Sequence, residues 1–165
     1  MLVDGYNIIF AWRELKELAQ INIDSARDRL IDILCNYRGA IDSELIVVFD
    51  AYRVKGHDTE ISDYNNIHIV FTKEAETADQ YIEKFANANG RKYDVTVATS
   101  DNLEQIIIRG NNCKLVSARE LEKLVELEIS TVKESFDNTK NTEKNYLQNI
   151  LSDKALEALD SVIKE

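Results

Sequence analysis

Apolar residues along this chain fall into two spacings, short uninterrupted runs that suit buried strands and three-and-four repeats that suit amphipathic helices. Leu2-Val3 stops at Asp4-Gly5-Tyr6-Asn7, which predicts a short buried strand running into a loop. Asp24 reads as an N-cap, and Ala26, Leu30, Ile33, Leu34, Tyr37 and Ile41 follow at helical spacing. Leu45-Ile46-Val47-Val48-Phe49 forms a second strand that ends at Asp50. Residues 52–66 are polar and irregular, after which Ile67, Ile69, Val70 and Phe71 form a third. Thr77-Ala78-Asp79-Gln80 has the pattern of a capping box, with Ala78, Tyr81, Ile82, Phe85 and Ala86 as the apolar stripe of the helix it starts. Val95, Val97 and Ala98 form a fourth strand that ends at Thr99-Ser100-Asp101. A helix carrying Leu103, Ile106 and Ile107 closes at Gly110, and Lys114-Leu115-Val116-Ser117 is a fifth strand. A second capping box, Ser117-Ala118-Arg119-Glu120, opens a helix with Leu121, Leu124, Val125, Ile129 and Val132.

Strands alternating with helices predict an α/β domain, doubly wound around a mostly parallel five-stranded sheet. Residues 137–145 contain no apolar side chain, so the pattern predicts a domain over 1–136 and a linker with C-terminal helices over 137–165.

Composition changes the picture mainly by exclusion. At 165 residues, with 44% hydrophobic and 30% charged, the chain is sized and mixed as one globular domain, and disorder is excluded. No apolar run approaches the roughly 18 residues of a membrane span, and no basic-then-apolar leader opens the sequence. Cys35 and Cys113 lie far apart with no metal-ligand spacing, which predicts a reducing, cytoplasmic setting. The formal charge of −10 counts against a simple nucleic-acid-binding module, because a polyanion is repelled at long range.

The acids are the candidate chemistry. Asp4, Asp50 and Asp101 each follow a parallel strand, so all three fall at one edge of the sheet, the edge where doubly wound folds bind ligands. Asp79, in the first turn of the next helix, and Glu76 just before it lean toward the same crevice. Carboxylates gathered there repel one another by several kcal/mol at an effective dielectric of about 20, unless a cation intervenes. Oxygen-only ligands favour Mg²⁺ or Mn²⁺, ions that activate water for phosphoryl displacement. Each acid also has a structural role open to it: Asp4 in a turn, Asp79 against a helix dipole, Asp101 as an N-cap. Acids at equivalent ends of separate strands, however, are a coincidence that capping does not require.

Rival phosphate chemistries fail on particular residues. A haloacid-dehalogenase-type phosphatase needs an aspartate where Tyr6 stands, and a dinucleotide fold needs more glycine than Gly5 alone. A receiver domain places a lysine after its last strand, where this chain has Ser117-Ala118-Arg119.

Taken in order, Leu2-Val3-Asp4-Gly5-Tyr6-Asn7, Val47-Val48-Phe49-Asp50, Phe71-Thr72-Lys73-Glu74 with Glu76-Thr77-Ala78-Asp79, and Ala98-Thr99-Ser100-Asp101 resemble the YacP-like NYN-domain family, a branch of the PIN-like ribonucleases. The resemblance covers most of residues 1–130. It implies a PIN-like fold and a metal-dependent endoribonuclease that cleaves mRNA in association with the ribosome. It assigns Asp4, Asp79 and Asp101 to the catalytic metal site for Mg²⁺ or Mn²⁺, with Asn7, Glu76 and Thr99 as supporting positions; Asp50 joins them from its strand end. Only three residues precede Asp4, fewer than is usual in this family, which predicts a clipped first strand or a longer parent chain.

Arg53, Lys55 and His57, with Lys73 and Arg13, are candidates for a cationic rim that binds RNA, although scattered solvated charge explains them equally. His57 and His68 have no triad or ligand spacing and read as structural or surface residues, and Ser100 lacks a histidine base. Tyr6 and Trp12 are placed either to stack on bases or to join the core. Two function classes remain open: a nuclease, or a non-catalytic RNA- or ribosome-binding module on the same fold. The full acid set favours the nuclease, since a pure binder of a polyanion would gain by losing those charges. No membrane partner is expected, and nothing in the sequence specifies an oligomeric state.

Overall fold

The computed structural model describes residues 1–50, 59–101 and 113–131. The chain divides into units Met1–Glu128 and Ile129–Glu165, and the second lies outside the described residues after position 131. The predicted helix over Leu103 to Gly110, and the linker and helices after 136, also lie outside them.

Among the described residues, six strands form one sheet: β1 (Leu2–Asp4), β2 (Ile46–Phe49), β3 (Glu60–Tyr64), β4 (Ile67–Phe71), β5 (Thr96–Ala98) and β6 (Lys114–Val116). Their order is β3-β4-β2-β1-β5-β6, and every pairing is parallel except β3 with β4. The chain therefore winds outward from β1 through β2 to β4, then returns to the other side of β1 for β5 and β6. This is the doubly wound arrangement expected, with one strand more than the five predicted.

The additional strand is an antiparallel edge. β3 turns into β4 through Asn65-Asn66, and Asn65 takes φ 51°, a left-handed conformation that asparagine tolerates better than most residues. Asn66 Nδ2 donates to the Cys35 carbonyl at 3.0 Å and ties the turn to the neighbouring helix. An edge strand needs no continuous apolar run. Four of the five β3 residues are exposed, so the polar pattern of 52–66 concealed it.

A helix stands where a loop was predicted at Gly5-Tyr6-Asn7, and a second fills residues that the pattern left unassigned. α1 (Gly5–Ala11) begins directly after β1, because the Asp4 carboxylate accepts from the Asn7 backbone N–H at 3.0 Å and acts as its N-cap. α2 (Arg13–Ile21) follows without a linker. The signal was present: Ile8, Trp12 and Leu15 are buried at helical spacing. α3 (Ile23–Ala40) is capped by Asn22, whose side chain accepts from the N–H groups of Asp24 and Ser25, so Asp24 belongs to the first turn and is not the N-cap.

α4 (Ala78–Asn89) starts at Thr77 with the predicted capping box complete. The second box is present too, since Ser117 Oγ accepts from Glu120 N–H and the Glu120 carboxylate accepts from Ser117 N–H at 2.8 Å. It opens α5 over 118–131. Trp12 is buried and donates its indole N–H to the Ala118 carbonyl at 2.8 Å, fixing the α1–α2 junction against the start of α5.

Side-chain alternation along the strands decides which residues meet α4. Leu2, Val48, Val70 and Val97 pack with Ala78, Ile82 and Ala86 of α4 in one buried cluster. Two residues further along β1 and β2, on that same face, stand Asp4 and Asp50.

Candidate active site

Beyond the apolar cluster, the α4 face of the sheet becomes polar at the carboxyl ends of the parallel strands. Asp4 closes β1, Asp50 follows β2, and Thr77 and Asp79 stand at the start of α4. These four, with Asn7 and Ser100, line a cleft of about 370 Å³. It lies at the carboxyl edge beside β1, where the strand order reverses and α/β sheets bind their ligands.

Asp4 is the most confined of these acids, with 4% of its surface exposed. Its carboxylate accepts from Asn7 twice, from the backbone N–H at 3.0 Å and from Nδ2 at 3.2 Å. Ser100 donates its hydroxyl to Asn7 Oδ1, which turns the Asn7 amide group toward Asp4. Burial pushes the Asp4 carboxyl up from 3.8 to about 7; the two Asn7 bonds oppose the rise, and the adjacent, hydrogen-bonded Asp79 carboxyl adds to it. Two carboxyl groups thus share one confined space, and in the absence of a cation Asp4 keeps its proton up to near neutrality.

Asp50 has a different task. Its Oδ1 accepts from the Ala78 N–H at 2.5 Å, so this acid ties the first turn of α4 to the end of β2 and sets the position of Asp79 one residue further on.

Asp101, Thr99, Glu76 and Lys73 are not among the residues that line the cleft. The Asp101 backbone N–H donates to Thr99 Oγ1 at 3.1 Å. Thr99 is fully buried, with its own N–H donating to the Val116 carbonyl of β6. Glu76 turns along α4 and pairs with Lys84. Lys73 is exposed on the loop after β4, while Arg53, Lys55 and His57 lie outside the described residues. Arg13 pairs with Glu17 at 3.0 Å on the exposed side of α2. His68 lies 2.5 Å from Asp63 across the β3–β4 hairpin, a surface contact. Among the described residues, no three Asp, Glu, His or Cys side chains gather into a set able to enclose a metal ion.

That arrangement still fits Mg²⁺ or Mn²⁺. The adjacent Asp4 and Asp79 carboxyls supply hard oxygen donors to a cation that displaces the proton held at Asp4. Mg²⁺ characteristically keeps several waters and binds through one or two carboxylates plus substrate phosphates, in place of a closed protein cage.

Tyr6 and Phe10 line the cleft beside the acids. Their rings stack at 6.5 Å between centroids, and Tyr6 meets Phe49 edge-on at 5.2 Å. Phe10 was missed from sequence. An exposed phenyl one helical turn from Tyr6 becomes visible as a site residue only once α1 is known to be a helix.

A doubly wound sheet with paired carboxylates at its carboxyl edge is the architecture of a PIN-like nuclease. Residues 1–164 match the YacP-like NYN domain, and the chain belongs to that family of PIN-like nucleases. It is 45% identical over 127 residues to the Bacillus subtilis (strain 168) protein described as uncharacterized protein YacP, covering 76% of this chain and 74% of that one. It is also similar to the crystal structure of Rae1 (YacP) from Bacillus subtilis, with a TM-score of 0.71 and 38% identity over 99% of this chain and 94% of that one. A tryptophan-to-leucine mutant of Rae1 matches at the same TM-score over 84% of this chain and 81% of that one. Among the described residues, no helix is long and apolar enough to cross a membrane.

Proposed function

We propose that this protein is an endoribonuclease dependent on Mg²⁺ or Mn²⁺, acting on single-stranded mRNA engaged with the ribosome. The observation that carries the reading is the Asp4–Asp79 carboxyl pair, confined at the carboxyl edge of the sheet in a chain of a nuclease family. Asp4, Asp79 and Asp101 would hold the ion, with Thr99, just after β5, in support. A divalent ion held there would supply a lowered pKa for a bound water and stabilisation of charge on phosphoryl oxygens. Asn7 keeps the Asp4 carboxylate turned into the cleft through two donated hydrogen bonds, and Ser100 holds Asn7 in that orientation. Asp50 anchors α4 so that Asp79 stays opposite Asp4.

The charge of −10 favours delivery of the RNA by a larger partner, because long-range attraction to free RNA is weak. Arg53, Lys55 and Lys73 would grip a few phosphates once the strand arrives, each contributing about one unit to the salt slope. The test is cleavage of naked single-stranded RNA and of mRNA on translating ribosomes, with Mn²⁺ or with EDTA, across a salt series. Cleavage that needs the metal and is far faster on ribosome-engaged mRNA at near-physiological salt is expected. Metal-independent cleavage, or equal rates on both substrates, would overturn the corresponding part of the reading.

A further inference from the structure

Next to the acidic cleft lies a second cavity of about 610 Å³, within the roughly 300–1,000 Å³ range of small-molecule sites. The two share Tyr6, Phe10 and Asp50, so they adjoin and a strand lying in one passes beside the other. Ile23, Asp24 and Arg27 of α3 supply its opposite wall.

Its chemistry combines ring faces with both kinds of hydrogen-bonding edge. Phe10 is 54% exposed, which leaves much of its ring surface in solvent beside the stacked Tyr6. The Arg27 guanidinium sits 5.7 Å from the Phe71 ring centroid, pairs with Asp24, and approaches the Tyr6 hydroxyl at 3.5 Å. A phosphate group is a poor match, because Asp24 and Asp50 set two negative charges against Arg27, the one cation among the described lining residues. A nucleobase is a good match, because it has a face to stack, donors for carboxylates and acceptors for a guanidinium.

We infer that this cavity receives one unpaired nucleobase of the RNA strand whose phosphodiester lies in the acidic cleft. The inference rests on the nuclease reading for that strand. Tyr6 and Phe10 stack the base, while Asp24 and Arg27 read its edge. An ionised carboxylate only accepts, so a base whose exocyclic amine offers two N–H donors is favoured over uracil, which offers the single N3–H.

Nucleoside 5′-monophosphates provide a probe that has no phosphodiester to cut. GMP, AMP, CMP and UMP would each be titrated into the full chain in MgCl₂, following the ring protons of Tyr6 and Phe10 by NMR, with inorganic phosphate as a separate arm. The expected result is upfield ring shifts with the amino-bearing nucleotides, weaker binding of UMP, and no ring shift with phosphate alone. Phe10→Ala should weaken binding by about 5- to 150-fold, the range that base–aromatic stacking spans. Asp24→Asn, at a position with a 67% exposed side chain, should leave the fold intact and shrink the difference between CMP and UMP.

Binding unchanged in both variants, ring shifts caused by phosphate alone, or no nucleotide binding at all would overturn the inference. Cleavage of mRNA on translating ribosomes in Mn²⁺ by the same samples separates the two readings. Wild-type protein that cuts RNA but binds no base at Tyr6 and Phe10 refutes the pocket alone. Protein that binds bases as described but cuts nothing upholds the pocket and refutes the nuclease.

Discussion

Replacing Asp4 with asparagine should make the metal-free protein more stable above neutral pH and leave it no more stable in acid. The Asp4 carboxyl is raised from 3.8 to about 7, first by burial and then by its neighbour Asp79. A carboxyl that binds its proton more tightly folded than unfolded contributes stability that is fully present below about pH 4 and is lost as the pH rises through about 7. Each tenfold change is worth about 1.4 kcal/mol, so full ionisation costs the fold on the order of 4 kcal/mol. Asparagine keeps an oxygen for the Asn7 N–H, since Asn and Asp cap helices about equally well. It loses the second bond from Asn7 Nδ2, worth about 1 kcal/mol. The net gain for Asp4→Asn is therefore roughly 2–3 kcal/mol at pH 8.5 in EDTA. At about 2–4 °C per kcal/mol for a chain of this size, that raises Tm by roughly 4–12 °C. Near pH 4 the sign should reverse, with the wild type ahead by about 1 kcal/mol. Urea denaturation of both proteins at half-unit steps between pH 4 and 8.5 measures this difference. Mg²⁺ at pH 8 should stabilise the wild type by mass action and leave the variant nearly unaffected. A difference between the two proteins that stays constant across that range would refute the argument, because it would mean that Asp4 does not change its proton occupancy on folding.

Three further outcomes are expected. Asp101→Asn should abolish RNA cleavage in Mn²⁺ while leaving the metal-free thermal midpoint unchanged or raised; full activity in that variant would remove Asp101 from the site. Gly5→Ala should destabilise by roughly 1–3 kcal/mol or more in urea, because its Cβ would lie 2.1 Å from the Phe49 ring, which is itself packed against Tyr6 and Phe71. Ala75→Gly should instead stabilise slightly, by up to about 1 kcal/mol of unfolding free energy, because Ala75 holds φ 68° in the turn before α4, where a Cβ costs about 1–2 kcal/mol.

What the sequence determined by itself was local or periodic. Both capping boxes at Thr77 and Ser117 were readable because their donors and acceptors lie three residues apart. The run from Leu45 to Phe49 was readable as a strand because a parallel strand covered on both faces has no polar positions to interrupt it. The acids at the strand ends were readable for a related reason: parallel strands bring their carboxyl ends to one edge whatever their order. Tertiary structure decided what depends on distant partners. Asp4-Gly5 looks like a turn until the Asp4 side chain is seen capping α1 and Gly5 is seen beneath the Phe49 ring, 44 residues away in the chain. β3 exists because β4 offers it an edge, since its own residues are mostly exposed. Pairing Asp4 with Asp79 and giving Asp50 to the α4 backbone follow from how α4 docks on β1 and β2. That docking is set by the buried cluster of Leu2, Val48, Ala78 and Ile82, a free energy of packing that no local pattern encodes.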